Sequence, residues 1–390
     1  MLRYVTAGES HGKCLIGILE GLPSGLAVDT DFINDQLHRR QLGYGRGRRM
    51  QIERDHIEIT SGVRHGKTLG SPVSFTIENK DWNNWRIPMS TDPVPEGSAL
   101  GSITRPRPGH VDLAGVLKHQ THDVRNVLER ASARETAARV AVGAFCRLLL
   151  LRFNIRVGSH VLAIGNVRVP ARLDSIDLDA ILAINPDSQL RCADADVEKA
   201  MIALIDKAAS DGDTLGGIAE VVASPVPPGL GSHSQWDQKL DGRIAQALMS
   251  IPAVKAVEIG NGIAAAQQAG SSVHDEIFYD AEHQRFFRKT NNAGGLEAGV
   301  TNSADVCARI FVKPIPTLRK PLMSVDLITK EASSAAFERS DTCVVPAAGV
   351  VAEAMIGFVV AQAFLGKFGG DSMTELEANF TNYNRMLSDF

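Results

Sequence analysis

The sequence predicts an α+β fold on three observations. Short apolar runs bounded by Gly, Pro, Asn and Ser recur through both halves of the chain and read as strands. From Pro346 to Leu365 the sequence is apolar on nearly all sides of a helix, and Pro346 suits its first turn, so this helix belongs in the interior. A second helix is signalled at Ser132: Ser132 and Glu135 have capping-box spacing, and Ala137, Val140, Ala141, Ala144, Phe145 and Leu148 follow at helical spacing.

In chain order, residues 1–28 read as strand, the turn G-E-S-H-G, a second strand from Cys14 to Leu19, and a turn at Leu22-Pro-Ser-Gly. A short helix is expected over 31–42, ending in His38-Arg39-Arg40. Ile52, Ile57, Ile59 and the run Pro72 to Ile77 read as strands, and Trp82 to Gly101 as a loop. His119 to Asp123 reads as a solvated helix turn rather than a metal site, because the glutamate and third ligand of a zinc motif are missing. Val157 to Val169 and Gly216 to Val226 read as strands, with a polar amphipathic helix from Ala195 to Ala209 between them. A helix from Gln238 to Met249 precedes a strand bounded by turn residues near Pro252 and Gly260. Residues 288–303 form a long loop of small polar residues, and Lys313-Pro-Ile-Pro-Thr317 is a stiff segment with one cation.

The 390 residues allow one large domain or two to three smaller ones. A net charge of -4 argues against general nucleic-acid binding, which shows as a basic domain. Cys14, Cys146, Cys192, Cys307 and Cys343 are odd in number and far apart, so neither a disulfide framework nor a zinc site is indicated. The N-terminus has no apolar signal core, and a reducing, cytoplasmic setting is expected. The apolar helix near the C-terminus has the length of a membrane span, but Glu353 and Gln362 inside it argue for burial in protein.

The arginines are concentrated where the backbone is stiff or glycine-rich. Arg105-Pro-Arg-Pro-Gly-His110 puts two guanidiniums and an imidazole on a constrained loop, and Arg130 and Arg134 flank the helix start at Ser132. A helix start offers unpaired N–H groups and the positive end of a dipole, so this region suits an anion. Gly43-Tyr-Gly-Arg-Gly-Arg-Arg-Met50 is neither a Rossmann fingerprint nor a Walker loop. It reads either as a flexible basic turn or as a guanidinium clamp for a small polyanion. A non-catalytic RNA-binding module is the competing class, but it calls for aromatics interleaved with the basic residues, and only Tyr44 is present.

Taken together, these stretches resemble the chorismate synthase family. The resemblance is carried by Gly8-Glu-Ser-His-Gly12, Gly43 to Met50, Arg105 to His110, Arg130-Ala-Ser-Ala-Arg-Glu-Thr-Ala137, Asn291-Asn-Ala-Gly-Gly295, Lys313 to Thr317, and Arg339-Ser-Asp341 through Gly349. The matches run in family order from residue 1 to about 375, which implies one domain over 1–390. The resemblance implies a β-α-β sandwich, with a helical layer buried between antiparallel sheets, assembled as a homotetramer. It implies a carbon–oxygen lyase that removes phosphate from 5-enolpyruvylshikimate 3-phosphate to give chorismate, the last common step of the shikimate pathway. The reaction requires reduced FMN (FMNH2) without net redox change, and NADPH is a possible reductant; FMN, FAD and NADP are the nucleotides associated with such flavoproteins. No metal, nucleic acid or membrane partner is implied.

Residue by residue, the resemblance assigns His11 to protonating the departing phosphate, His110 to the reduced flavin, and Asp341 to assisting flavin N5. Arg40, Arg46, Arg49, Arg107, Arg134 and Arg339 match substrate-clamping positions, and Arg40 and Arg46 also match NADPH contacts. The flavin positions are Arg130, Ala131, Ser132, Pro252, Ala253, Ala298, Lys313, Pro314, Ile315, Pro316, Thr317 and Arg339. Two departures stand out. Ala298 and Ser303 occupy expected glycine positions, and Thr214-Leu215 alters the usual D-S-x-G-G turn.

Overall fold

The computed structural model describes residues 1–47, 54–173, 175–338 and 341–390. The chain begins with the antiparallel pair β1 (Arg3–Ala7) and β2 (Cys14–Glu20). Helix α1 (Thr30–Gln41) follows, capped by Asp29, whose carboxylate accepts from Phe32 N. Strands β3 (Ile57–Ser61) and β4 (Val73–Glu78) complete a four-stranded antiparallel sheet in the order β1-β2-β4-β3. Ile52, expected in a strand, lies outside the described residues.

Two helices absent from the sequence-based expectation come next, α2 (Asp112–His119) and α3 (Arg125–Ala131). The helix signalled at Ser132 starts as a 3-10 turn over Ala133–Glu135 and becomes α4 (Thr136–Leu151). The capping box is only half present. Ser132 Oγ accepts from Arg134 N at 3.3 Å, while Glu135 turns away to pair with Arg139 one helical turn on, at 3.0 Å.

The expected strand over 157–169 is a hairpin: β5 (Arg156–Ile164) reverses at Gly165, with φ +54°, into β6 (Val167–Arg168). Helix α5 (Ala195–Ser210), β7 (Gly217–Ser224), α6 (Leu240–Met249), β8 (Val254–Ile259) and β9 (Val306–Val312) follow. They give a five-stranded antiparallel sheet in the order β8-β9-β7-β5-β6. The last helices are α7 (Val345–Phe368) and α8 (Met373–Ser388). The second was not foreseen, although Ser372 and Glu375 form a complete capping box.

Helices α1 and α4 pack on the first sheet and α7 packs on the second, with α4 and α7 in direct contact. The result is the expected β-α-β sandwich. Helix α7 is long and apolar enough to cross a membrane, but it lies buried among protein. Gly143 shows how tightly α4 meets α7: a Cβ there falls 2.3 Å from the Cβ of Ala354. One carboxylate enters this layer. Glu353 is fully buried and is held by Arg39 at 2.7 and 2.8 Å, Arg147 at 2.9 Å and Ser159 at 2.6 Å.

Candidate active site

His11 sits on the β1–β2 turn. Gly8 enters that turn at φ +102°, and a Cβ there lands 2.4 Å from Cys14 O, so only glycine fits. Asn79, just past β4, braces the turn by donating to Glu9 O at 3.1 Å and Gly12 O at 2.7 Å. The His11 ring is held from α3: Nδ1 lies 3.0 and 2.9 Å from the two carboxylate oxygens of Glu129. Arg125 donates to Glu129 at 2.8 Å, and Trp85 stacks on the imidazole with centroids 3.9 Å apart.

Asn79 also ties this turn to the guanidiniums. Its Oδ1 accepts from Arg134 Nε at 2.9 Å. Arg134 donates further to Asp55 Oδ1 at 2.5 Å and to Glu78 O at 3.3 Å, so its fork is engaged by the protein on three sides. Asp55 Oδ2 accepts from Arg40 NH2 at 2.8 Å. All three residues are buried. Burial opposes ionisation of Asp55, but Arg40 and Arg134 outweigh it and hold the carboxyl below its ordinary range. Arg40 is pushed down by burial, against the pull of Asp55 and with help from Arg134 and Arg46. Its Nε is buried with no hydrogen-bond acceptor among the described residues. A buried donor of this kind is costly unless a ligand supplies the acceptor.

Arg46 and Asp341 form the next pair, NH1 to Oδ2, at 2.7 Å. Asp341 Oδ1 accepts from Gly47 N at 2.6 Å, so the acid is fastened to the glycine-rich stretch at 43–47. It does not cap α7, whose N-cap is Val344 without a side-chain bond. Tyr44, the one aromatic of that stretch, is tied to Asp206 at 2.7 Å. Arg49 and Arg339 lie outside the described residues.

His110 belongs to a third cluster. Its Nδ1 bonds Asp112 Oδ1, and Arg107 grips the same carboxylate from Nε at 2.8 Å and NH2 at 3.1 Å. Burial raises the Asp112 carboxyl, yet His110 and Arg107 together hold it far below the usual carboxylate range. Arg107 NH1 continues to Thr317 Oγ1 at 3.0 Å, and Lys313 Nζ donates to Gly109 O. The proline–proline segment 313–317 therefore lies against the His110 loop. Thr214 Oγ1 fixes it from behind through Ile315 O at 2.8 Å, so the altered turn at 213–217 still supplies a hydroxyl. A cavity of about 270 Å³ opens between Ser102–Arg105 and Ala336–Glu338, beside this loop.

The remaining flavin positions are spread over several elements. Ala253 O accepts from Lys313 N at 2.9 Å, which joins Pro252 and Ala253 to the 313–317 segment. Arg130 reaches Thr6 O and Gly8 O, at 3.0 and 3.1 Å, from the end of α3. Ala131 and Ser132 close that helix. Ala298 is at the tip of the small hairpin Leu296–Thr301. Ala298 and Ser303 have φ +51° and +77°, so two side chains do stand in glycine conformations. The loop around them is well bonded, with Asn291 donating to Asp305 O at 2.8 Å and accepting from Gly295 N at 2.7 Å.

Five residues that organise these clusters escaped sequence reasoning: Asp55, Asn79, Trp85, Asp112 and Glu129. Asp112, two residues past His110, carried a local signal. The others are remote in sequence from the groups they hold.

The sequence profile described as "Chorismate synthase" matches residues 2–365. The chain is 56% identical over 384 residues to the chorismate synthase of Desulforudis audaxviator, covering 98% of this chain and 97% of that one. It is 52% identical over 390 residues to that of Solibacter usitatus, covering all of both. A solved structure titled "Crystal Structure of Chorismate Synthase" superposes with TM-score 0.80 at 42% identity, covering 100% of this chain and 99% of that one. Fold and comparisons together define an enzyme of the lyase class, acting on a carbon–oxygen bond. The chain belongs to the chorismate synthase family.

Proposed function

We propose that this chain carries out the anti-1,4-elimination of phosphate from 5-enolpyruvylshikimate 3-phosphate, giving chorismate, with reduced FMN bound and no net redox change. The observation that carries the reading is the buried Arg40–Asp55–Arg134 group beside the His11 turn. Two guanidiniums share one carboxylate there, and Arg40 Nε still seeks an acceptor. That leaves net positive charge in a buried place, which suits a substrate with a phosphate and two carboxylates.

The residues present fit reduced FMN. Lys313 and Thr317 supply a cation and a hydroxyl suited to its phosphate, and His110, one residue from Thr317 through Arg107, supplies a proton donor for an anionic ring. Arg130, Ala131, Ser132, Pro252, Ala253, Ala298, Pro314 to Pro316 and Arg339 complete the proposed holder. When bound, reduced FMN supplies electron density to the substrate and takes up the C6 hydrogen. The chain's own residues do the rest. Arg40, Arg46, Arg49, Arg107, Arg134 and Arg339 orient the substrate, and His11 gives a proton to the departing phosphate. His110 holds a proton against the flavin, and Asp341, kept in place by Arg46 and Gly47, receives one. Arg40 and Arg46 also take NADPH where it serves as reductant.

The same reading makes residues 1–390 one functional domain, acting as a cytoplasmic homotetramer. An anaerobic assay with substrate and dithionite-reduced FMN tests it. Stoichiometric phosphate and chorismate are expected; no phosphate release from folded, flavin-loaded protein overturns the assignment.

A further inference from the structure

His11 is held more completely than a loop histidine requires. Glu129 accepts from its backbone N–H at 2.9 Å as well as facing Nδ1 with both oxygens. The carbonyl of Glu129 accepts from Ser10 N at 3.0 Å, so one residue of α3 fixes both the turn and the ring. The other face of the arrangement is aromatic. Trp85 lies on the imidazole at an interplanar angle of 29°, and its indole N–H is anchored to Asp81 at 3.1 Å. Arg125 covers the indole at 4.9 Å while pairing with Glu129. Burial disfavours the charged form of Glu129, but hydrogen bonds from the His11 side chain and backbone, and from Arg125, hold its carboxyl below the ordinary range. An ionised carboxylate only accepts, so Nδ1 must carry the hydrogen.

We propose that Glu129 is a positioning residue for phosphate departure, fixing a hydrogen on His11 Nδ1 so that Nε2 is the nitrogen that gives its proton to the leaving group. The inference rests on the reaction proposed above. In that step the C3–O bond breaks and its electron pair goes to the phosphate oxygen. That oxygen takes the Nε2 proton, and His11 is left neutral with Nδ1–H on Glu129. The carboxylate holds the hydrogen on Nδ1 throughout the transfer and so fixes the tautomer that remains after it. His110 repeats the construction with different residues: Asp112 on Nδ1, and Arg107 on Asp112. Each histidine thus has an acid behind it and an arginine behind the acid.

A double-mutant cycle in the flavin-loaded enzyme tests this. His11→Ala is expected to slow turnover by about 100- to 10,000-fold. Glu129→Gln is expected to lower kcat roughly tenfold or more, with KM nearly unchanged. The double variant should be no slower than His11→Ala alone, because Glu129 acts only through His11. If the two losses instead multiply, Glu129 is a structural residue and the inference is overturned. If His11→Ala alone turns over like wild type, the role of His11 in the reaction fails first, and the inference with it. Glu129→Asp, which keeps the charge and shortens its reach, is read by the same cycle where the Gln variant does not fold.

Discussion

Arg134 and Asp55 are joined by a 2.5 Å hydrogen bond inside the protein, and Asp55 gives its other oxygen to Arg40. Asp55→Asn keeps the shape and removes the carboxylate that the two guanidiniums share. Breaking a buried ion pair from one side costs about 3–5 kcal/mol, and a loss near the lower end is expected here because Asn still accepts. Added substrate should narrow the gap, since its anionic groups replace the missing charge. Urea unfolding with and without substrate measures both effects; an unchanged midpoint contradicts the account.

Arg134→Ala should weaken substrate binding by about 1.5–3 kcal/mol, the scale of a hydrogen bond to a charged group. Arg134→Lys should recover only part of it. A single ammonium cannot reproduce the fork that reaches Asn79, Asp55 and Glu78 O together. Titration calorimetry of both variants decides, and full recovery by Lys means that charge alone matters at this position.

Asp341→Asn should fold, and should bind reduced FMN and substrate together, because Asn can still accept from Gly47 N. Phosphate release should slow by about 100-fold or more, the usual effect of losing an acid–base group. Single-turnover absorbance follows this directly. A normal rate would remove Asp341 from the proposed chemistry, and helix capping offers no alternative role, since α7 takes no side-chain cap.

Glu353 predicts an acid limit to stability. Burial opposes its charge, but Arg39 and Arg147 outweigh burial and bring the carboxyl down to about 2, from an ordinary 4.5. The unfolded chain therefore binds the proton more readily than the native one. The stabilisation is complete above about 4.5 and is lost as the pH falls towards 2. Glu353→Gln should flatten the slope of stability against pH in that window, read from urea midpoints. An identical slope in the variant argues against the assignment.

Ala298→Gly should stabilise the protein. A non-glycine residue in the left-handed region costs about 1–2 kcal/mol, and glycine returns roughly 0.5–1 of that as chain entropy. A net gain of about 0.5–1 kcal/mol follows, detectable as a raised unfolding midpoint; a lowered one shows that the Ala298 methyl packs usefully.

The buried helix and most strands were legible in the sequence because that helix is apolar all round and the strands are punctuated by turn residues, while the sandwich they build was implied by the family resemblance. Periodicity failed where charge replaces it. Helices α2 and α3 are only eight and seven residues long, too short to show a period, and the charge-rich α3 carries Glu129 and Arg125, which hold His11. Arginines, histidines and Asp341 could be picked out in their glycine- and proline-rich settings, and the resemblance attached roles to them. Their partners could not. Asp55 and Asn79 stand in unremarkable surroundings, and only the folded chain brings them to Arg134.

The place of α7 in the chain has a consequence for biosynthesis. This helix forms the shared interior of both sheets, through α4 on one side and β5 and β7 on the other, yet it spans residues 345–368. A ribosome must therefore have made more than three hundred residues before either sheet can cover its apolar face. Until then the face of α4 that meets α7 and the inner surfaces of β5 and β7 lie open to other nascent chains and to proteases. Long-range contacts of this kind form slowly. The chain should depend on holding chaperones during synthesis, and a stalled product ending before Val345 should aggregate rather than fold.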